Sequence, residues 1–503
     1  MLLNGGNAVD AAIATAVALT VLEPVSCGIG GDAFAMVWDG TRLHAINGSG
    51  RAGRRVSLDL FEGRSTIPTD GWPSVTVPGV VATWMELSRK LGKLPFARLF
   101  EPAIEYAELG AMVPPHIARV WKAIFLLYRK HAGIQELFGY RGRTPEAGEL
   151  VRLPRHAATL REIADTGGES FYRGRIADLI VEAGAGSGFG LGRDDLAEHT
   201  SDWVEPLSVR YRDHEVFELP PNGQGLAALN ALGILDHFDF AGMAPDSAAV
   251  AHIQIEAMKL AFADVYRYVG DARHMAVDPV DFLDPAYLRA RAALIDPDRA
   301  RFPTYGLPKD AGTVYLASGD SAGMMVSMMQ SNGRGFGSGI VIPGTGICMH
   351  NRGSAFCLDE HHPNCFGPGK RPFHTIVPAF IARGGTPAAA FGVMGFNMQP
   401  QAHVQLVSRM VDFRQGAQQL CDAPRWRIAH EEPAIVLEDG FDSDTRNGLV
   451  ERHHSIVETE QFDAASTPFG SALAFGSAQV VMKHEEGFCA ASDPRRDGQP
   501  AGY

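Results

Sequence analysis

Two hydroxyl-bearing residues stand close together in KDAGTVYLASGDSAG, residues 309–323. Thr313 follows Gly312 and heads an apolar, β-prone run. Ser321 lies in Gly319-Asp320-Ser321-Ala322-Gly323, the G-x-S-x-G pattern of a serine nucleophile on a sharp strand-to-helix turn. A threonine hydroxyl is a poor nucleophile until a base takes its proton. If the chain is cut before Thr313, the new α-amine, with a pKa of about 8, is that base. One residue then supplies both groups, and Gly312 offers an uncrowded carbonyl to attack. Ser321 needs a helix directly after it, yet AGMMVSMMQSNGRG reads as the second strand of a hairpin. Gly319, Asp320 and Gly323 are then turn residues. Gly-Thr alone carries little information, since it recurs at Gly40-Thr41, Gly344-Thr345 and Gly385-Thr386.

The elements that must hold these residues follow from periodicity and punctuation. Asn7 can cap a helix that runs to Leu22, apolar nearly all round and therefore buried, and ended by Glu23-Pro24. The glycine-rich turn CGIGGDAF leads into a strand pair, AFAMVWDG and RLHAINGSG. It lacks G-x-G-x-x-G and a preceding strand, so it is not a dinucleotide loop. Helical spacing dominates from Pro78 to about Ser187 and again from Ser247 to about Tyr268. RFPTYGLPKDAG, residues 301–312, reads as an exposed linker. After it, TVYLASGD, GMMVSMMQS, GSGIVIPG, GICMHN, HTIVPAFIA and AAAFGVMG read as strands of a buried sheet. Helices resume near Gln399 and Gly416, and AIVLEDG and ALAFGSAQVVMKHEEGFCAASD suggest closing hairpins. The expected class is α/β with layered helices and sheets.

Composition narrows the function. The chain has 503 residues, is 46% hydrophobic and 20% charged, and carries a formal net charge of −13. Nucleic acid and anionic membranes are therefore not expected partners. The short basic run Arg51-Ala-Gly-Arg54-Arg55 could still hold one anionic substrate. Six cysteines without C-x-x-C argue against a disulfide framework and suit a reducing cytosol. The apolar stretch from Ala8 to Leu22 is too short to span a bilayer and carries Asp10. Neither Glu360–Asn364 (EHHPN) nor His453-His454 has metal-ligand spacing, so no metal or cofactor is expected.

Three segments, in order, carry a resemblance. GGNAVDAAIATAVALTVLEPVSCGIGGDAF, near the start, resembles the opening motif of the γ-glutamyltranspeptidase family. GTVYLASGDSAGMMVSMMQSNGRGFGSGIVIPGTGI resembles the start of that family's small subunit, and ASDPRRDGQPAGY resembles its C-terminal motif. The resemblance implies an N-terminal nucleophile hydrolase with a four-layer αββα sandwich. It implies autocatalytic cleavage at Gly312–Thr313 into a large subunit, 1–312, and a small one, 313–503, intertwined as one globular domain, with further dimerisation left open. Thr313 would then take an acyl group from a γ-glutamyl amide and pass it to water or an amino acid. Family members have a further strand and helix before the first motif, whereas Met1 stands four residues ahead of Gly5. The chain as written points to the cytoplasm; a start farther upstream would open the periplasm or secretion.

Carried over residue by residue, the resemblance holds in part. The threonine that supports the nucleophile falls at Ser331, which keeps the hydroxyl. A following asparagine falls on Gly333, beside Asn332. The residues that grip the substrate's α-amino group fall on Arg352 and Ala355, leaving Asn351 as a neutral acceptor; Arg352 would repel an ammonium. The serine pair after KRP becomes His374-Thr375. The oxyanion glycine pair becomes Gly395 and Phe396, whose backbone N–H groups can still serve, although only glycine takes φ > 0 cheaply. Arg51 is the candidate for the carboxylate-binding arginine. The loop between Phe356 and Lys370 is short, as in the lidless subgroup. An open pocket with Arg51, Arg352 and His374 also suits a glutaryl- or cephalosporin-type acylase acting on another carboxyl-bearing amide. A serine hydrolase using Ser321 and a non-enzymatic scaffold that never matures are the remaining alternatives.

Overall fold

Asn7 opens the first helix, Ala8–Leu22, with a reciprocal cap: its side chain accepts from the Asp10 N–H and Asp10 accepts from the Asn7 N–H. The Asp10 carboxylate also takes the N–H groups of Lys93 and Leu94, each at 3.1 Å, which ties the end of the Val80–Leu91 helix to this start. The computed structural model describes residues 1–140, 142–301, 312–429, 434–457 and 474–502. Most of the expected 301–312 linker lies outside the described residues. No described helix is long and apolar enough to cross a membrane.

The chain forms two compact units. One comprises Met1–Val204 and Ala311–Ile376, the other Glu205–Asp310 and Val377–Tyr503. Each therefore draws on segments from both sides of Gly312–Thr313. The first contains a five-stranded antiparallel sheet in the order Asp202–Val204, Leu43–Asn47, Asp32–Trp38, Met325–Gly333, Gly312–Gly319. The buried Ala8–Leu22 helix packs on its last two strands. The second contains a six-stranded antiparallel sheet in the order Gly487–Ser492, Ser477–His484, Thr386–Met394, Ala379–Arg383, His214–Glu218, Leu207–Tyr211. Helices Gly225–Leu235 and Met398–Val411 cover it, with Ala248–Tyr268 packed beside them. The α/β class is as expected.

Residues 320–324 form the expected hairpin turn. Asp320 Oδ1 accepts from the N–H groups of Ala322 (2.9 Å) and Met324 (3.2 Å), and exposed Ser321 leads into a strand, not a helix. The elbow geometry a serine nucleophile needs is absent here. The sequence reading fails at 334–349, where two strands were expected. Only isolated bridges form there among the described residues, Val341 to Cys348 and Met349 to Gly30. Gly335, Gly337, Gly339, Gly344 and Gly346 all have positive φ, which coils the chain and prevents a ladder.

Candidate functional site

Thr313 is fully buried in the Gly312–Gly319 strand, at an irregularity in its pairing. Gly312 pairs with Gly333 and Val314 with Gln330, so Ser331 and Asn332 together face the single residue Thr313. Such a bulge re-aims side chains and is common beside active sites. The Thr313 hydroxyl lies 3.5 Å from Ser331 Oγ, a long contact.

Ser331 Oγ also accepts from the Gly333 N–H at 2.9 Å and from Arg352 Nη2 at 2.5 Å. Arg352 Nη1 donates to Thr375 Oγ1 at 2.8 Å. A continuous polar chain thus runs from Thr313 through Ser331 and Arg352 to Thr375, every member buried. Arg352 is positioned by a one-turn 3₁₀ helix, Arg352–Ala355, and its N–H donates to His350 Nδ1 at 3.0 Å. Burial pulls its guanidinium down to about 10, with Asp32 opposing, so it is a cation at neutral pH.

The balancing charge is Asp32, at the start of the Asp32–Trp38 strand and directly across the ladder from Ser331. Its Oδ1 accepts from the N–H groups of Gly79 (3.0 Å) and Gly50 (3.3 Å), and its Oδ2 meets His374 Nε2 at 3.2 Å. Burial pushes the carboxyl up, but His350, the His374 hydrogen bond and Arg352 outweigh it and hold it well below the usual carboxylate range. His374 is pushed down to about 3 by burial and by Arg352, against the pull of Asp32. With Asp32 ionised, His374 carries its proton on Nε2, and Nδ1 accepts from the Ile376 N–H at 3.3 Å. His350 is lowered as well, first by burial.

Asn351 is close but differently used. Its Oδ1 accepts from the Arg334 N–H at 2.9 Å and its Nδ2 donates to the Thr69 carbonyl at 2.9 Å. A Cβ on Gly333 would lie 2.0 Å from that Oδ1, so Asn351 fills the space that an asparagine at 333 would need. Asn332 lies against Gly28 and Gly31, with neither amide atom hydrogen-bonded among the described residues. Arg51 Nη2 meets Asp202 Oδ2 at 3.3 Å, and Arg371 binds the same carboxylate oxygen.

Gly395 and Phe396 lie in the second unit, between the Thr386–Met394 strand and the Met398–Val411 helix. Phe396 takes φ +60°, a left-handed conformation that favours glycine. That conformation costs roughly 1–2 kcal/mol for a residue with a Cβ. Gln224 Nε2 holds it by donating to the Phe396 carbonyl at 2.7 Å, and the ring is buried. His454, adjacent to His453, meets His252 (Nε2 to Nδ1, 2.7 Å), and Glu256 completes a set of ligand-type atoms within 4.8 Å of one another. The Glu256 carboxylate is already taken by Lys259 Nζ at 2.7 Å and the Arg301 N–H at 2.8 Å.

The first unit's cluster pairs a protected hydroxyl with a buried cation. It could orient an attacking Thr313 oxygen and neutralise a nearby anion. Of the residues singled out in the sequence, the structure brings Thr313, Ser331, Arg352, His374 and Thr375 together, and joins to them Asp32 and His350, which the sequence reading did not single out. A signal for Asp32 was available: a carboxylate opening an otherwise apolar strand must be paired or solvated.

Asp32→Asn strands the Arg352 charge, and unfolding in urea should show a loss of about 3–5 kcal/mol. Acid should act earlier than carboxylate titration would suggest. Burial holds His156 at about 4 and His199, His374, His403 and His454 at about 3. In the unfolded chain a histidine titrates at about 6.5, so below that pH the unfolded state takes up protons that the folded state refuses. Stability falls as pH drops from about 6.5, by up to about 1.4 kcal/mol per pH unit for each such histidine. Asp32 adds a loss in the same direction at lower pH. The urea midpoint should therefore be clearly lower at about pH 5 than at neutrality; an unchanged midpoint would contradict these assignments.

Known proteins resemble this arrangement over its whole length. The sequence model for Gamma-glutamyltranspeptidase matches residues 1–503. The glutathione hydrolase-like YwrD proenzyme of Bacillus subtilis is 33% identical, over 99% of this chain and 94% of its own length. The oxamate amidohydrolase proenzyme of Klebsiella pneumoniae is 34% identical, over 100% and 95%. The crystal structure of cephalosporin acylase from Bacillus halodurans superposes with a TM-score of 0.93 at 43% identity, covering 100% of this chain and 92% of that one. The chain belongs to the γ-glutamyltranspeptidase family.

Proposed function

We propose that this chain cleaves itself between Gly312 and Thr313 and then uses Thr313 to hydrolyse the amide of a carboxyl-bearing acyl group. The observation that carries the reading is the placement of the buried Thr313 hydroxyl on the Ser331–Arg352–Thr375 chain. In the first step the Thr313 hydroxyl attacks the Gly312 carbonyl, the acyl group moves from nitrogen to oxygen, and water cleaves the ester. The freed α-amine of Thr313 then serves as base, and the hydroxyl forms an acyl-enzyme that water or an amino acid resolves. The names of the B. subtilis and K. pneumoniae relatives, both proenzymes, support self-cleavage. γ-Glutamyl amides such as glutathione are the first substrates indicated by the family.

Arg352 favours a second reading within the same chemistry. A buried guanidinium two hydrogen bonds from the nucleophile suits an acyl group that presents a carboxylate and no ammonium. The oxamate amidohydrolase and cephalosporin acylase relatives support that substrate class.

Denaturing electrophoresis with N-terminal sequencing should show a fragment beginning Thr313-Val314-Tyr315. Thr313→Ala should abolish both cleavage and activity, while Ser321→Ala leaves both intact; an active, uncut wild-type chain would refute the mechanism. Arg352→Gln should raise KM for an anionic acyl donor by roughly 10- to 100-fold, the value of a hydrogen bond to a charged group. A stronger effect on a glutaryl amide than on a γ-glutamyl amide would select the second reading.

A further inference from the structure

Cys357 and Cys365 flank the short loop CLDEHHPNC, and the chain brings its two ends together. The Cys357 N–H donates to the Asn364 carbonyl at 3.1 Å, and the Phe366 N–H donates to the Cys357 carbonyl at 2.9 Å. These bonds make Cys357 and Cys365 direct partners in a parallel bridge. Paired backbones of this kind lie about 4.8 Å apart, inside the roughly 4.4–6.8 Å between Cα atoms that a disulfide requires. Both residues are free thiols, held only by weak contacts to nearby carbonyls, at 4.0 Å from Cys357 Sγ to Asp359 and 3.6 Å from Cys365 Sγ to Phe366. Cys357 is half-buried and is followed by exposed Asp359, Glu360 and His361, so a small reagent can reach it.

The loop also braces the candidate site. Asn364 Nδ2 donates to the Ala355 carbonyl at 2.7 Å, at the end of the turn that carries Arg352. Asn364 Oδ1 accepts from the Phe373 N–H at 2.8 Å, next to His374 and Thr375. Phe356 and Phe366, the neighbours of the two cysteines, meet edge-to-face at 5.4 Å within an apolar cluster with Phe61 and Ile67. The bridge is therefore anchored on both sides.

We propose that Cys357 and Cys365 are a reversible disulfide site, oxidised by small-molecule disulfides, that fastens the loop bracing Arg352 and Thr375. The Cys357 thiolate attacks one sulfur of the reagent and expels the first small thiolate. The Cys365 thiolate then attacks Cys357 Sγ and expels the second. Two protein thiols are oxidised, one small disulfide is reduced to two thiols, and the two protein protons pass to those thiols. Burial raises the pKa of both thiols, so exchange is slow at neutral pH and faster in mild alkali.

The test treats the folded, reduced protein with 2-hydroxyethyl disulfide in mild alkali, followed by alkylation and tryptic mass mapping. Both cysteines fall in one peptide, 353–370, which should lose two hydrogens and recover them with reductant. Cys357→Ser and Cys365→Ser should each stop at a mixed disulfide on the remaining thiol. A peptide that keeps two alkylatable thiols, or that carries two separate adducts, overturns the proposal. The readout is mass, not turnover, so failure of the amide-hydrolase reading would leave it unaffected.

Discussion

One buried carboxylate organises the candidate site. Asp32 fixes the loops that reach it through the N–H groups of Gly50 and Gly79, fixes the His374 ring, and supplies the negative charge that lets Arg352 stay ionised out of water. The loops can come this close because they carry no side chains. A Cβ on Gly50 would lie 1.5 Å from the Val77 carbonyl oxygen, and one on Gly79 would lie 1.6 Å from that of Gly48. The strand pairing places Asp32 opposite Ser331, so the buried carboxylate and the hydroxyl that Arg352 binds share one rung of the sheet. An ion so deeply buried is tolerable only with its lone pairs used, and the two amides and the imidazole use them.

The same arrangement holds Arg352 two hydrogen bonds from the Thr313 hydroxyl. Its hydrogen bonds to Ser331 and Thr375 consume two faces of the guanidinium and hold it in one geometry. A lysine there would be a point charge without the planar fork that bridges two hydroxyls. Arg352 thus bridges two hydroxyl acceptors, and Asn351 occupies the room beside Gly333.

Local chemistry made much of the fold legible. The Asn7 cap, the Asp320 turn and the apolar runs on either side of it each have a cause within a few residues. Failure came where apolar content and backbone conformation disagree, as at 334–349, whose glycines coil a segment composed like a strand. In the site, residue types were legible where a motif carried them. The partners were not, since Asp32 lies 342 residues from His374 and Arg352 lies 21 from Ser331. Phe396 shows the reverse case: the residue argues against left-handed backbone, and tertiary contacts impose it at φ +60°.

Each compact unit is assembled from segments on both sides of Gly312–Thr313. If that peptide bond is cut, as proposed above, the native state no longer has a single-chain route back from unfolding. Refolding becomes a bimolecular reaction, dependent on concentration and on two fragments that each lack part of both cores. The mature protein would then persist because it unfolds slowly, and its lifetime would be set by a barrier, not by an equilibrium.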